Sequence, residues 1–189
     1  PMASRLPMSD SDISIREVVS AILHCAQTFV PCEAGSVMLS HPDDSGALVF
    51  VASFGAGADK LPGTVLPAGT GFAGQAYTTG KPFITNSPTD TTQFYKAIDK
   101  LTEHSTKSLL CLPLLAYGQP VGVLSLLNRI GGSFCQQDLE LLDVFCHYLT
   151  QSIQVLLEAK RQREAAFKDH LTGLHNDRFL FYYIAEAIA

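Results

Sequence analysis

No stretch of this 189-residue chain approaches the roughly 20 consecutive apolar residues that cross a bilayer. Its start lacks the basic-then-apolar layout of a secretory leader. No block of like charge occurs either. The 13 basic and 18 acidic residues are scattered and leave a net charge of −5, which gives no electrostatic footprint for nucleic acid or for an anionic membrane. There is no C-x-x-C pair and no Cys/His metal spacing. The five cysteines, Cys25, Cys32, Cys111, Cys135 and Cys146, are odd in number and sit largely in apolar segments. A disulfide framework and a zinc site are therefore not expected; buried free thiols in a reducing cytoplasm are. Charged residues are also sparse, at 16% against 47% apolar. That balance belongs to a folded core, not to disorder.

The apolar positions are patterned. Ile15, Val18, Val19, Ile22, Ala26 and Phe29 form a helical stripe that Pro31 ends. Gly35 to Ser40 and Ala47 to Phe54 read as strands around the turn-rich segment 41–46. In the first, Ser36 and Met38 share a face opposite Val37 and Leu39. In the second, Leu48, Phe50, Ala52 and Phe54 share one face. From 64 to 86 the order is short strand, Gly-rich turn, short helix starting near Phe72, and short strand, with Gly80 at the helix end. Residues 87–107 are polar, with a helix predicted near 91–100. Ser108 to Leu115 and Val121 to Asn128 are almost continuously apolar, as central strands covered on both faces would be.

A single helix is predicted from about Gln136 to about Lys168. It is too long for one small domain to cover. A parallel two-helix coil with 142, 146, 149, 153, 156, 160, 163 and 167 as its seam would bury it, with weak pairing at Lys160 and Arg163.

Near the end, Asp169, Leu171, Thr172, Gly173, Leu174, Asn176 and Arg178 resemble the D-x-L-T-G-L-x-N-x-R run that opens a GGDEF domain, the catalytic domain of diguanylate cyclases. Asp177 departs from that pattern, and no GGDEF signature follows. The resemblance implies a parent enzyme that makes cyclic di-GMP from GTP, with its catalytic motif outside these residues. The expected parts are then a disordered or appended segment 1–10, a sensor domain 11–158, a helical linker 159–168 and the truncated start of a GGDEF domain, 169–189.

The sensor part resembles GAF domains in element order and in several blocks. These are Gly71-Phe72-Ala73-Gly74-Gln75-Ala76, Gly80-Lys81-Pro82, Ser108 to Leu114 and Gly122 to Asn128. The resemblance implies an α/β (α+β) fold: a central antiparallel sheet, helices on both sides, and a long C-terminal signalling helix. It also implies a small-molecule ligand and a homodimer through the terminal helices.

Four uses of such a domain stay open. Asn128, Arg129, Phe134 and Asp138 partly match the N-K-x(n)-F-x-x-x-D-E pattern of cyclic-nucleotide-binding GAF domains of phosphodiesterases, with Arg129 for Lys and Leu139 for the final Glu. In that pattern the ligand-binding residues fall on Ser36, Phe54, Phe72, Ala73, Tyr95, Asp99, Thr102, Thr106 and Ser125, with Phe94 beside Tyr95. The ligand would be cyclic AMP or cyclic GMP. Phe54, Phe72, Ser36 and Ser125 would hold a purine, a helix start the cyclic phosphate, and Asp99 a ribose hydroxyl or base edge.

Each residue also has a plain structural use: the phenylalanines as core, the serines bonded to neighbouring backbone, the threonines as caps, and Gly71 and Gly74 as contacts between helix and sheet. The second use, free-methionine sulfoxide reduction, lacks its cysteine, since Ala73 stands in that place. The third, a bilin or haem through Cys146-His147 or His104, has no supporting pattern. The fourth is dimerisation alone. No cofactor is required, and no catalytic or metal-binding residue is expected in these 189 residues.

Overall fold

A computed structural model of the chain describes residues 10–88 and 95–166. The chain divides into two compact units, Pro1–Ser152 and Ile153–Ala189. Phe94 and the run 169–178 lie outside the described residues.

The first unit is built on one six-stranded antiparallel sheet. Helix α1 (Asp10–Phe29) leads into strand β1 (Cys32–Ser40), and β2 (Leu48–Phe54) follows. A 3-10 turn at Ala58–Lys60, strand β3 (Val65–Leu66), helix α2 (Gly71–Thr79) and strand β4 (Phe83–Thr85) come next. Helix α3 (Lys96–Thr102) precedes the hairpin of β5 (Leu109–Ala116) and β6 (Gln119–Arg129), and α4 spans Gln136–Ala166. The strand order is β3-β2-β1-β6-β5-β4. The interior places of β5 and β6 account for their apolar runs, because each is covered by protein on both faces.

One face of the sheet carries α1 and α4. Leu23 and Ala26 of α1, Val37 and Leu124 of the sheet, and Phe145 and Leu149 of α4 meet there, and Phe29 packs on Phe145 with ring centroids 4.9 Å apart. The other face carries a second apolar cluster that includes Met38, Leu48, Phe50, Leu66, Phe72 and Val123. This is the arrangement implied by the sequence, an antiparallel sheet with helices on both sides.

Several local expectations change. Strand β1 starts at Cys32, not at Gly35, because β6 runs on to Arg129 and supplies pairing partners for Cys32 and Ala34. Helix α3 begins at Lys96, later than predicted, and closes where Glu103 takes a left-handed conformation (φ 58). The simple alternation in β2 is broken. Pairing steps from Val37↔Ala52 to Met38↔Phe50, leaving Val51 as an extra residue, and such a bulge reverses the faces on either side of it. Phe50 therefore points with Met38 into the second cluster, while Ala52 and Phe54 turn toward α1.

The coiled-coil seam expected along α4 fails at its first three positions, and the side chains at 153, 156, 160, 163 and 167 lie outside the described residues. Leu142, Cys146 and Leu149 are 0%, 5% and 1% exposed within the first unit, so none of them is free to meet another helix. The exposed apolar residues Leu141, Val144 and Tyr148 instead follow i, i+3, i+7 spacing along a neighbouring stripe of α4.

Candidate ligand-binding site

Between the sheet and the helices α2 and α3 lies a cavity of about 100 Å³. All nine residues expected at a ligand site border it. β1 supplies Ser36, β2 Phe54, the start of α2 Phe72 and Ala73, the α3 segment Tyr95, Asp99, Thr102 and Thr106, and β6 Ser125. Register explains part of this gathering, since Ser36 on β1 lies directly across from Ser125 on β6.

Their roles differ within that ring. Phe72 belongs to the apolar cluster, and Tyr95 and Ala73 pack against it. The ring of Phe54 is directed away from the cavity: it stacks on His24 of α1 at 5.7 Å and covers Gly35, where an added Cβ would come within 2.6 Å of it. The bulge in β2 sends it there. Thr102 donates to the Ile98 carbonyl at 3.0 Å, a bond internal to α3. Asp99 accepts the Thr106 backbone N–H and hydroxyl, one on each carboxylate oxygen.

The helix start is shaped for close approach. Gly74 abuts the backbone of Gly69, whose carbonyl carbon would lie 2.7 Å from an added Cβ. Its small size therefore serves the turn before α2, and packing against the sheet is not its first constraint. No side chain caps the first turn of α2, which leaves backbone N–H groups at the edge of the cavity.

The residues of the Asn-Arg-Phe-Asp pattern do not line the cavity; they anchor its wall. Asn128 sits at φ 55 at the end of β6. Its carbonyl accepts from Lys107 and Ser108 backbone N–H groups at 2.6 and 3.2 Å. Its amide donates to the Ser105 carbonyl at 2.8 Å and to Glu33 at 2.6 Å. Arg129 grips Asp138 with two bonds of 2.8 and 3.1 Å, so the Arg that stands for Lys in the pattern forms an ion pair. Asp138 also accepts the Cys135 N–H at 2.9 Å at the start of α4. Burial alone would raise the Asp138 carboxyl, but Arg129 and Cys135 outweigh it and hold it below the usual carboxylate range. Phe134 is tied to Asn86 by a reciprocal pair of bonds at 3.1 and 3.2 Å.

The cavity also has walls that were not anticipated, chiefly Met38, His104 and Cys111. His104 lies 3.1 Å from the Asn128 amide. Cys111 lies 3.3 Å from the Ser125 hydroxyl, and burial pushes its thiol up to about 12. A thiol so protonated is a poor nucleophile. Cys32, Cys111 and Cys146 are buried free thiols, as expected, whereas Cys25 and Cys135 are exposed.

Among the described residues no group of three His, Cys, Asp or Glu side chains is placed to hold a metal. His147 bonds Gln151 at 2.9 Å on the surface of α4. No helix among the described residues is long and apolar enough to cross a membrane.

The model of one family, described as GAF domain, matches residues 12–154. The chain belongs to the GAF domain family. This GAF domain is 26% identical over 146 residues to the probable 3′,5′-cyclic phosphodiesterase pde-5 of Caenorhabditis elegans, covering 72% of the chain but only 20% of that protein. Among solved structures, it is similar to the GAF domain from Acinetobacter phosphoenolpyruvate-protein phosphotransferase, with a TM-score of 0.66 and 14% identity over 82% of this chain and 99% of that one. The type II free methionine-R-sulfoxide reductase from Thermoplasma acidophilum gives a TM-score of 0.62 and 15% identity, over 75% and 94% of the two chains. At these identities the structural likeness is one of fold.

Proposed function

We propose that this GAF domain is a sensor that binds a cyclic nucleotide, cyclic AMP or cyclic GMP, between the sheet and helices α2 and α3. The observation that carries the reading is that nine residues, widely separated in sequence, border one cavity beneath the uncapped start of α2, although the ring of Phe54 is turned away from it. Apolar walls suit a purine, and the free N–H groups of a helix start suit a singly charged cyclic phosphate. The similarity to a cyclic phosphodiesterase supports the same ligand class.

The cavity is smaller than the roughly 300–1,000 Å³ of ordinary small-molecule pockets. Binding therefore moves the α3 segment outward, straining the Asp99–Thr106 bonds and the surface pair of Lys60 and Glu103. That segment is bonded to Asn128, and the next residue, Arg129, is paired with Asp138 in the first turn of α4. Ligand state would reach α4 by this route, through its differential affinity for the two arrangements.

The parent protein, in this reading, is a cytoplasmic diguanylate cyclase that converts GTP to cyclic di-GMP, as the run from Asp169 to Arg178 suggests. Joining two GTP molecules needs two catalytic domains face to face, which a homodimer supplies. Leu141, Val144 and Tyr148 provide an exposed apolar stripe for that pairing.

Thermal unfolding with cyclic AMP, cyclic GMP and GTP tests the ligand. A cyclic nucleotide at a hundred times its dissociation constant stabilises the fold by about 2.7 kcal/mol. An unchanged melting temperature with both cyclic nucleotides overturns the proposal.

A further inference from the structure

The cavity floor contains a transverse row of small polar side chains. Ser53, Ser36, Ser125 and Cys111 are successive register partners across β2, β1, β6 and β5. Directly opposed residues in an antiparallel sheet share a face, with Cβ atoms about 4.5–5.5 Å apart. Ser53 is committed, donating to the Ala58 carbonyl at 2.8 Å. The other three border the cavity.

Ser36 is only 7% exposed, and among the described residues its hydroxyl has no hydrogen-bond partner. Ser125 is 5% exposed, and its one side-chain partner there is the Cys111 sulfur at 3.3 Å. The Ser36 hydroxyl is open to the cavity, since among the described residues the one buried polar side-chain atom without a partner is Gln75 Oε1. A ligand that presents a polar edge to the floor meets hydroxyls able to bond it directly.

We propose that Cys111 is a positioning residue for ligand recognition: its S–H donates to Ser125, so that the Ser125 hydroxyl proton is directed into the cavity beside Ser36. This rests on the cavity being a nucleotide site. Either atom of the 3.3 Å contact could donate, and the proposed direction is the one that leaves Ser125 a proton for the ligand. A hydroxyl has one proton and two lone pairs, and sulfur is a weak acceptor. If Ser125 donated to Cys111, its only proton would be spent on the weaker partner and a ligand acceptor would go unmet. With S–H donating, Ser125 accepts from the thiol and donates to the ligand, and Ser36 accepts from it. Burial keeps the thiol protonated and able to donate throughout the neutral range.

The ligand class is then a flat heterocycle whose edge carries an acceptor next to a donor. Adenine offers ring N1 beside its amino group; guanine offers O6 beside N1–H. Cys111→Val loses the directing bond and is larger by about one methyl group, so its affinity is read together with the S–H band.

The test measures binding of cyclic AMP and cyclic GMP by calorimetry for the wild-type chain, Cys111→Ser, Cys111→Val and Ser125→Ala. It is joined to the S–H stretching band assigned by its loss in Cys111→Ser. Affinity should fall about tenfold in Cys111→Val and in Ser125→Ala, as expected for one lost hydrogen bond. Cys111→Ser should stay within about threefold of wild type, and the S–H band should shift when ligand is added. A purely structural cysteine would not move that band.

Wild-type affinity in Cys111→Val, or an unmoved band in the saturated wild-type chain, overturns the proposal. Should Cys111→Val fail to fold, the band and the serine variant decide. If the chain binds neither cyclic nucleotide, free adenine and guanine are measured next. Binding of a free base with the same variant pattern keeps the floor and discards the cyclic nucleotide; no binding of either base discards both.

Discussion

Asp99 holds Thr106 with both oxygens of its carboxylate, one accepting the backbone N–H and the other the hydroxyl, each at 2.8 Å. The two bonds fold the chain after α3 back onto the middle of that helix, beside the cavity. Breaking this clasp leaves a half-buried carboxylate or a backbone N–H without its partner. Asp99→Ala should cost about 1–3 kcal/mol and Thr106→Val, which keeps the backbone bond, about 1 kcal/mol. Chemical denaturation of the two variants checks the order. Equal losses would mean the hydroxyl carries the whole clasp.

The Arg129–Asp138 pair makes stability depend on acid. The folded-state pKa of Asp138 is depressed, so its contribution is present above the ordinary value of about 3.9 and is lost as pH falls through the lower folded value. Stability should fall as pH drops from about 6 to about 3, and Asp138→Asn should flatten that part of the fall. The same variant should lower stability at neutral pH by about 1.5–3 kcal/mol, the usual worth of a bond to a charged group.

Thiol chemistry separates the five cysteines. Cys25 and Cys135 are exposed, and Cys32, Cys111 and Cys146 are buried, with burial raising each of the three thiols to about 12. A thiol reagent at mild alkaline pH should modify two cysteines quickly in the native chain and all five after unfolding. Rapid loss of a third native thiol would show that the core opens locally.

The two stripes of α4 should respond oppositely to charge. Leu142→Glu places a carboxylate in a fully buried site and should unfold the domain. Tyr148→Glu, on the exposed stripe, should leave the melting temperature near wild type and shift sedimentation from dimer to monomer. A dimer that survives Tyr148→Glu would move the interface elsewhere.

Element order and the pattern of burial were legible because they rest on period and punctuation: the stripe of α1 before Pro31, the apolar runs of β5 and β6, and Gly80 in the left-handed cap of α2. That the nine residues border one cavity was legible through the ordered resemblance to phosphodiesterase GAF domains. The direction of Phe54 was not, because one extra residue in β2 reverses its side and nothing local to that strand marks the bulge. The place of Cys111 was hidden for a related reason. Its neighbour across the sheet is Ser125, fourteen positions away, and only the register of the β5–β6 hairpin brings the two together. The first three positions of the α4 seam were misread because both stripes carry apolar residues at compatible spacing, and only packing on the sheet distinguishes them.

The central claim is that the cavity takes a cyclic nucleotide, and isothermal titration calorimetry of the 189-residue chain with cyclic AMP and cyclic GMP tests it most directly. The account predicts saturable binding of at least one of them at a single site per chain, with a dissociation constant of about 1 μM and a negative heat-capacity change from burial of the base. No heat with either nucleotide across the temperatures at which the domain is folded would contradict it.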